Sequence, residues 1–219
     1  MIVMRIETLQ IAGFEPAING IFYPLTKKRS DSYINEEGEF ILGVRDRELT
    51  QSLLTLDLKQ AKFMNQIIVW VTITMPIYWW NELSKYKQDF ENSCSTFKAS
   101  IFQPEPLCLE QFSYDIKDEP LMRGIIEALN EIRLEWSTTE NIKEKISLAR
   151  KAKTLLPEGF LQTKIIILTY AELRTIYQYY CKHQSTPEWK KMLTWIETLP
   201  YAEDLIIFNE SSRNSNTDY

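Results

Sequence analysis

The stretch from Tyr78 to Lys98 sets two tryptophans, Trp79 and Trp80, ahead of a Lys85-Tyr86-Lys87 step. A row of small polar residues, Asn92 to Thr96, follows. Such a stretch is either an ordinary helix with its exit loop or the remains of a nucleotide site. The rest of the sequence narrows the chemistry. It holds 6 glycines, and none forms a Gly-rich phosphate loop. His183 is the only histidine, which excludes a multi-histidine metal site. Cys94, Cys108 and Cys181 are odd in number and lack metal-ligand spacing, so no disulfide framework is expected, and a reducing cytoplasm is. What remains is chemistry by Lys, Arg, Ser, Asn and carboxylates, or through a bound cofactor.

Those residues need a framework. With 219 residues the chain suits a single domain over 1–208, ending in a polar tail, 209–219, expected to be disordered. Its apolar and charged shares, 44% and 25%, are those of a soluble globular protein. The net charge of −5 argues against a basic nucleic-acid binder, and no nucleic-acid partner is expected. No positively charged start leads into an apolar core, so no signal peptide is expected. The longest apolar run, "FMNQIIVWVTITMPIYWW", is broken by Asn65, Gln66, two threonines and Pro76, so no membrane span is expected.

Alternation in "RIETLQIAG" predicts a strand. Residues 14–43 carry Pro16, Pro24 and several Gly and Asn residues, and read mostly as loops with a short strand at "EFILGV". Leu49, Leu53, Leu56 and Met64 predict a helix within 45–64. The β-branched run "QIIVWVTITM" predicts a covered strand, stopped by Pro76, and an aromatic-rich helix over 77–90. "PLMRGIIEALNEIRLEW" and "TTENIKEKISLARKAKTLLP" each read as helices, the second capped by Thr138 or Thr139 and ended by Pro157. "TKIIILTYAELRTIYQYYCKH" reads as the longest helix, although its first third is β-branched; Thr186, Pro187 and Glu188 open the last helix. The class is α+β. Trp79 and Trp80 read as core or subunit-interface residues.

The stretch from Lys85 to Lys98 resembles the R-H-R-x-x-S-x-N-E-x-S-x-R-Y signature of the flavin-dependent thymidylate synthases. Lys85-Tyr86-Lys87 falls on R-H-R, Asn92 on the asparagine, Ser93 on the glutamate, Ser95 on the second serine and Phe97-Lys98 on the closing R-Y. Asn92 and Ser95 are identical, and Lys85 and Lys87 keep the charge. The strand, proline and helix before the motif follow the family's layout. "LARKAKTLLPEGFLQTK" is similar to its Leu-Pro turn, and Arg174 with His183 to the basic pair of its long helix. The resemblance covers residues 45 to 198 and extends to short, phage-type relatives.

The resemblance implies an antiparallel sheet packed with long helices. It also implies a homotetramer around flavin adenine dinucleotide (FAD), with deoxyuridine monophosphate (dUMP) stacked on the flavin, a folate methylene donor, and sites shared between subunits. Lys85, Tyr86, Lys87 and Arg174 would hold the cofactor. Ser93, Asn92, Ser95 and His183 would hold the substrate, with Ser95 and Asn92 nearest the chemistry. Lysines can neutralise phosphate as point charges, whereas arginine offers a rigid bidentate fork that His183 cannot supply. Each residue also has an ordinary role: solvated lysines, a turn that caps itself at Asn92 to Ser95, a structural arginine paired with Glu172 or Glu135. Phe97 replaces a phosphate-binding arginine and Ser93 a carboxylate, so the expectation is a binder of a nucleotide or related anion with reduced or lost catalysis. An active FAD-dependent uridylate methyltransferase and a non-catalytic host-interaction protein are the alternatives.

Overall fold

The computed structural model describes residues 4–22, 29–56, 61–86, 101–183 and 186–208. Strands β1 (Arg5–Ala12), β4 (Ile68–Pro76) and β5 (Leu161–Thr169) form one antiparallel sheet in the order β1-β4-β5. β2 (Tyr33–Ile34) and β3 (Phe40–Ile41) form a second, two-stranded antiparallel ribbon. Among the described residues the α-helices are α1 (Phe14–Phe22), α2 (Val44–Leu56), α3 (Ile77–Leu83), α4 (Glu119–Thr138), α5 (Ile142–Leu155), α6 (Tyr170–Tyr180) and α7 (Pro187–Glu197). The class is α+β, as the sequence predicts.

The chain divides into two compact units, Met1–Glu7 with Thr72–Ile166, and Thr8–Val71 with Ile167–Tyr219. In the first, the helical hairpin α4–α5 closes over a core of Ile101, Phe112, Met122, Ile126, Leu129, Ile132, Leu148 and Phe160. Asn130 ties the preceding loop to α4: its Oδ1 accepts from the Leu107 N–H at 2.8 Å and its Nδ2 donates to the Leu107 carbonyl at 3.0 Å. Asn141, rather than Thr138 or Thr139, caps α5 by accepting from the Lys143 N–H. The Leu156-Pro157 stop falls as expected, since α5 ends at Leu155.

In the second unit Phe14, Phe40, Tyr170 and Tyr201 form an aromatic cluster with ring centroids 5.3–5.9 Å apart. The Tyr201 hydroxyl donates to the Phe40 carbonyl at 2.6 Å, which fastens the short ribbon. Burial pushes the Tyr170 phenol above its ordinary value, and its hydroxyl donates to the Pro200 carbonyl at 2.7 Å. Asp31 serves α2 as a remote cap: its carboxylate accepts from the Arg45 and Asp46 N–H groups at 3.0 Å each.

Several elements differ from expectation; the helix expected over 77–90 ends at Leu83. Residues 14–22 form a helix rather than a loop, because Pro16 sits in its first turn, where a missing N–H costs nothing. Gly13 begins it at φ 98°, and a Cβ there would lie 2.0 Å from the Gln66 carbonyl oxygen. The expected long helix over 163–183 is two elements, β5 and α6. The run Ile165-Ile166-Ile167 takes the strand, and Thr169 then caps α6 in a reciprocal box with Glu172. A π-helix over Ala202–Ile207 had no sequence signal. The polar segment 209–219 lies outside the described residues.

Candidate functional site

β4 delivers the chain to the motif. Val69, Val71, Ile73 and Met75 turn into the core, and Pro76 both ends the strand and stands as the N-cap of α3. The first N–H groups of a helix have no partner within it. Here the Ile77 N–H donates to the Phe160 carbonyl at 3.1 Å and the Tyr78 N–H to the Glu158 carbonyl at 3.2 Å. The turn after Leu156-Pro157 is thereby fastened to the start of the helix that leads to Lys85. Gly159 in the same turn permits a close approach to Ser113, since a Cβ on it would lie 2.2 Å from the Ser113 carbonyl oxygen.

Trp79 and Trp80 anchor α3. They are 0% and 4% exposed within a single chain, the core alternative of the sequence reading. The reason lies in β5. The Trp80 indole N–H is shared between the Met75 carbonyl at 3.2 Å and the Gln162 carbonyl at 3.1 Å. The Lys164 ammonium stands 4.8 Å from the Trp80 ring centroid, and burial pulls its pKa below the ordinary lysine value. Reading 163–183 as a helix hid Lys164.

Beyond Leu83 the chain turns. The Lys85 N–H bonds to the Glu82 carbonyl and the Tyr86 N–H to that of Leu83, at 3.1 and 3.0 Å. Lys85 is exposed and Tyr86 half-buried. Lys85 thus stands at the carbonyl end of α3, which favours cations, so an anion there would be held by ammonium charge and not by helix N–H groups. Lys87, Asn92, Ser93 and Ser95 lie outside the described residues, as do Phe90, Phe97 and Lys98.

Arg174 and His183 lie on and just beyond α6, in the other unit. Arg174 is 4% exposed, and burial pulls its pKa below the usual arginine value. Its Nη1 donates to the carbonyls of Leu205, Ile206 and Phe208 at 3.2, 3.0 and 2.8 Å. With the Gln178 amide turned to accept, its Nε and Nη2 donate to that oxygen at 3.2 and 3.0 Å. Its partners are therefore the end of the π-helix and a carboxamide, not Glu172 or Glu135. His183 is exposed; its Nδ1 lies 2.6 Å from the Tyr179 carbonyl, and its ring stacks on Tyr179 at 4.5 Å.

FAD carries a diphosphate that needs cations or aimed N–H groups. Arg174 commits its fork to protein oxygens, and Lys85 is a single point charge. The described part of the expected cofactor set does not fit that diphosphate. Among the described residues no group of three or more His, Cys, Asp or Glu side chains is placed to hold a metal ion. A cavity of about 320 Å³, floored by Leu107 and Ile126 and edged by Glu110, Arg123 and Glu127, had no signature in the sequence.

No family model matches this chain, and no curated protein matches it in sequence. Its fold does match. The flavin-dependent thymidylate synthase ThyX from Helicobacter pylori, complexed with FAD and dUMP, superposes at TM-score 0.62 and 14% identity, over 93% of this chain and 97% of that one. A second structure of the same synthase with FAD and dUMP gives 0.62 and 14%, over 93% and 96%. No helix among the described residues is long and apolar enough to cross a membrane. The chain thus has the fold of the flavin-dependent thymidylate synthases, over almost the full length of both partners in the comparison.

Proposed function

We propose that this chain is a divergent thymidylate synthase-like protein that binds a pyrimidine nucleotide or a related anion, with catalysis reduced or lost. The observation that carries the reading is the fold match over 93% of the chain to a synthase complexed with FAD and dUMP. Lys85, Lys87, Asn92, Ser93 and Ser95 supply the ligand contacts in this reading: two ammonium groups for phosphate, a carboxamide and hydroxyls for the pyrimidine. Asn92 and Ser95 stand nearest the reacting ring in any residual chemistry. Tyr86 offers a ring face, and His183 a further contact to substrate. FAD binding is weak, because Arg174 is committed within the fold and Phe97 carries no charge. Losing one charged phosphate contact costs on the order of 1.5–3 kcal/mol. Several such losses leave a nucleotide affinity that is micromolar or weaker, about −8 kcal/mol or less favourable.

In this reading residues 1–208 act as one functional domain in the cytoplasm, assembled as a homo-oligomer, most readily a tetramer with its sites between subunits. Isothermal titration with dUMP tests the binding claim. Saturable 1:1 heat per chain in the micromolar range or weaker supports it; no heat at millimolar dUMP removes the nucleotide reading.

A further inference from the structure

The hairpin α4–α5 carries opposite charges on its two outward faces. On α4, Met122, Ile126, Leu129 and Ile132 turn inward, while Glu127, Glu131 and Glu135 form an exposed stripe at four-residue spacing, with Leu134 60% exposed beside them. The two arginines of α4 do not neutralise that stripe. Arg123 pairs with Glu119 at 2.7 Å, and Arg133 donates to the carbonyls of Gln103 and Pro104 at 3.1 and 2.6 Å. On α5, Leu148 and Ala152 turn inward. Lys143, Arg150 and Lys153 are exposed around Ile142 and Ile146, which are 73% and 61% exposed. Lys145 is tied to the hairpin itself, 4.7 Å from the Trp136 ring centroid. α5 carries five cations against the single carboxylate of Glu144, in a chain whose net charge is −5.

No ion pair joins the glutamate stripe to the basic stripe among the described residues. At 1.5 Å per residue, the stripes Glu127–Glu135 and Lys143–Lys153 run about 12 and 15 Å, a close match in length. Each presents apolar side chains beside its charges. We propose that this double face is a contact between two copies of the chain, in which α4 of each copy lies against α5 of its partner. A two-fold contact is self-complementary, so the same match is made twice. The competing arrangement, α5 against α5, sets lysine against lysine and is disfavoured by charge alone. The placement of this surface does not depend on the ligand reading; it adds a specific surface to the homo-oligomer proposed above.

The test is light scattering of the full chain as a function of concentration and salt. The expected result is self-association whose dissociation constant weakens at least tenfold between 50 and 500 mM NaCl. Two variants decide whether these stripes carry it. One replaces Glu127, Glu131 and Glu135 by Lys; the other replaces Lys143, Arg150 and Lys153 by Glu. Each alone should lose the contact, and an equimolar mixture should form a one-to-one heterodimer, since each stripe then meets its opposite. Circular dichroism confirms that both variants fold. If either fails to fold, the single reversals Glu131→Lys and Arg150→Glu replace the triple variants in the same mixing experiment. A monomer at all salts overturns the proposal. So does an oligomer indifferent to both variants, which would leave the homo-oligomer reading intact and reject only this surface. Titration of the unaltered chain with dUMP tests the ligand reading on its own, so failure of that reading and failure of this contact are told apart.

Discussion

Arg174 donates from Nη1 to the carbonyl oxygen of Phe208 at 2.8 Å, at the exit of the π-helix. The same nitrogen reaches the carbonyls of Leu205 and Ile206, so one guanidinium satisfies the carbonyl end of a segment that the backbone alone cannot cap. This makes Arg174 a fold residue within the single chain. Arg174→Ala is expected to destabilise by about 3 kcal/mol, since it strands several buried acceptors. Arg174→Lys should recover only part of this, because one ammonium cannot reproduce the fork. Urea unfolding reads the stability and dUMP titration the affinity. An intact fold with lost affinity would instead place Arg174 on a ligand.

Trp80→Phe removes the indole N–H that the Met75 and Gln162 carbonyls share, and weakens the face under Lys164. A loss of about 1–3 kcal/mol is expected from the unsatisfied carbonyls and the weaker ring contact. The oligomeric state should not change, because the ring is covered by its own chain. A change of assembly in light scattering, with stability unaltered, would return the tryptophan pair to an interface.

Asp31 caps α2 from outside the helix. Burial pulls its pKa up, but the Arg45 and Asp46 N–H groups outweigh this and leave it below the ordinary aspartate value. A lowered carboxyl contributes stability above its unfolded pKa and loses it as pH falls through the lowered folded value. Asp31→Ala should therefore cost about 1 kcal/mol at pH 7, the usual worth of a cap, with the difference shrinking to nothing in acid. Melts of both proteins from pH 7 to pH 2 check this; a gap that widens on acidification contradicts the assignment.

Lys85→Ala and Lys87→Ala should each weaken dUMP binding, more at low salt than at high salt, while leaving the melting temperature almost unchanged. The reason is that Lys85 is exposed and offers only charge. Affinity indifferent to both substitutions would move the binding site elsewhere.

Where one physical preference dominated, the sequence was readable. β4 is mostly β-branched, Pro76 can only end it, and the three- and four-residue spacing of Met122, Ile126, Leu129 and Ile132 admits only a helix with one buried face. Thr186 stands before Pro187 at the start of α7 as expected. Where two preferences met inside one segment, the longer pattern misled. The α6 period runs on from Tyr170, but the isoleucines before it belong to a strand held by a sheet neighbour distant in sequence. That error also concealed the place of Lys164 on the strand, beside the Trp80 ring. The site was legible only as a resemblance. Side-chain types at Lys85 and Arg174 are visible in a sequence, but whether a guanidinium faces a ligand or the end of a π-helix is a tertiary fact.

The proposed function is nucleotide binding on a synthase fold with catalysis reduced or lost. It is tested by the absorption spectrum of the purified protein, taken with an assay of dUMP conversion in the presence of FAD, methylene-folate and reductant. A colourless protein with no flavin bands and little or no thymidylate is the expected result. A yellow protein with stoichiometric flavin, forming thymidylate only when folate and reductant are both present, would contradict the account and restore the full enzyme.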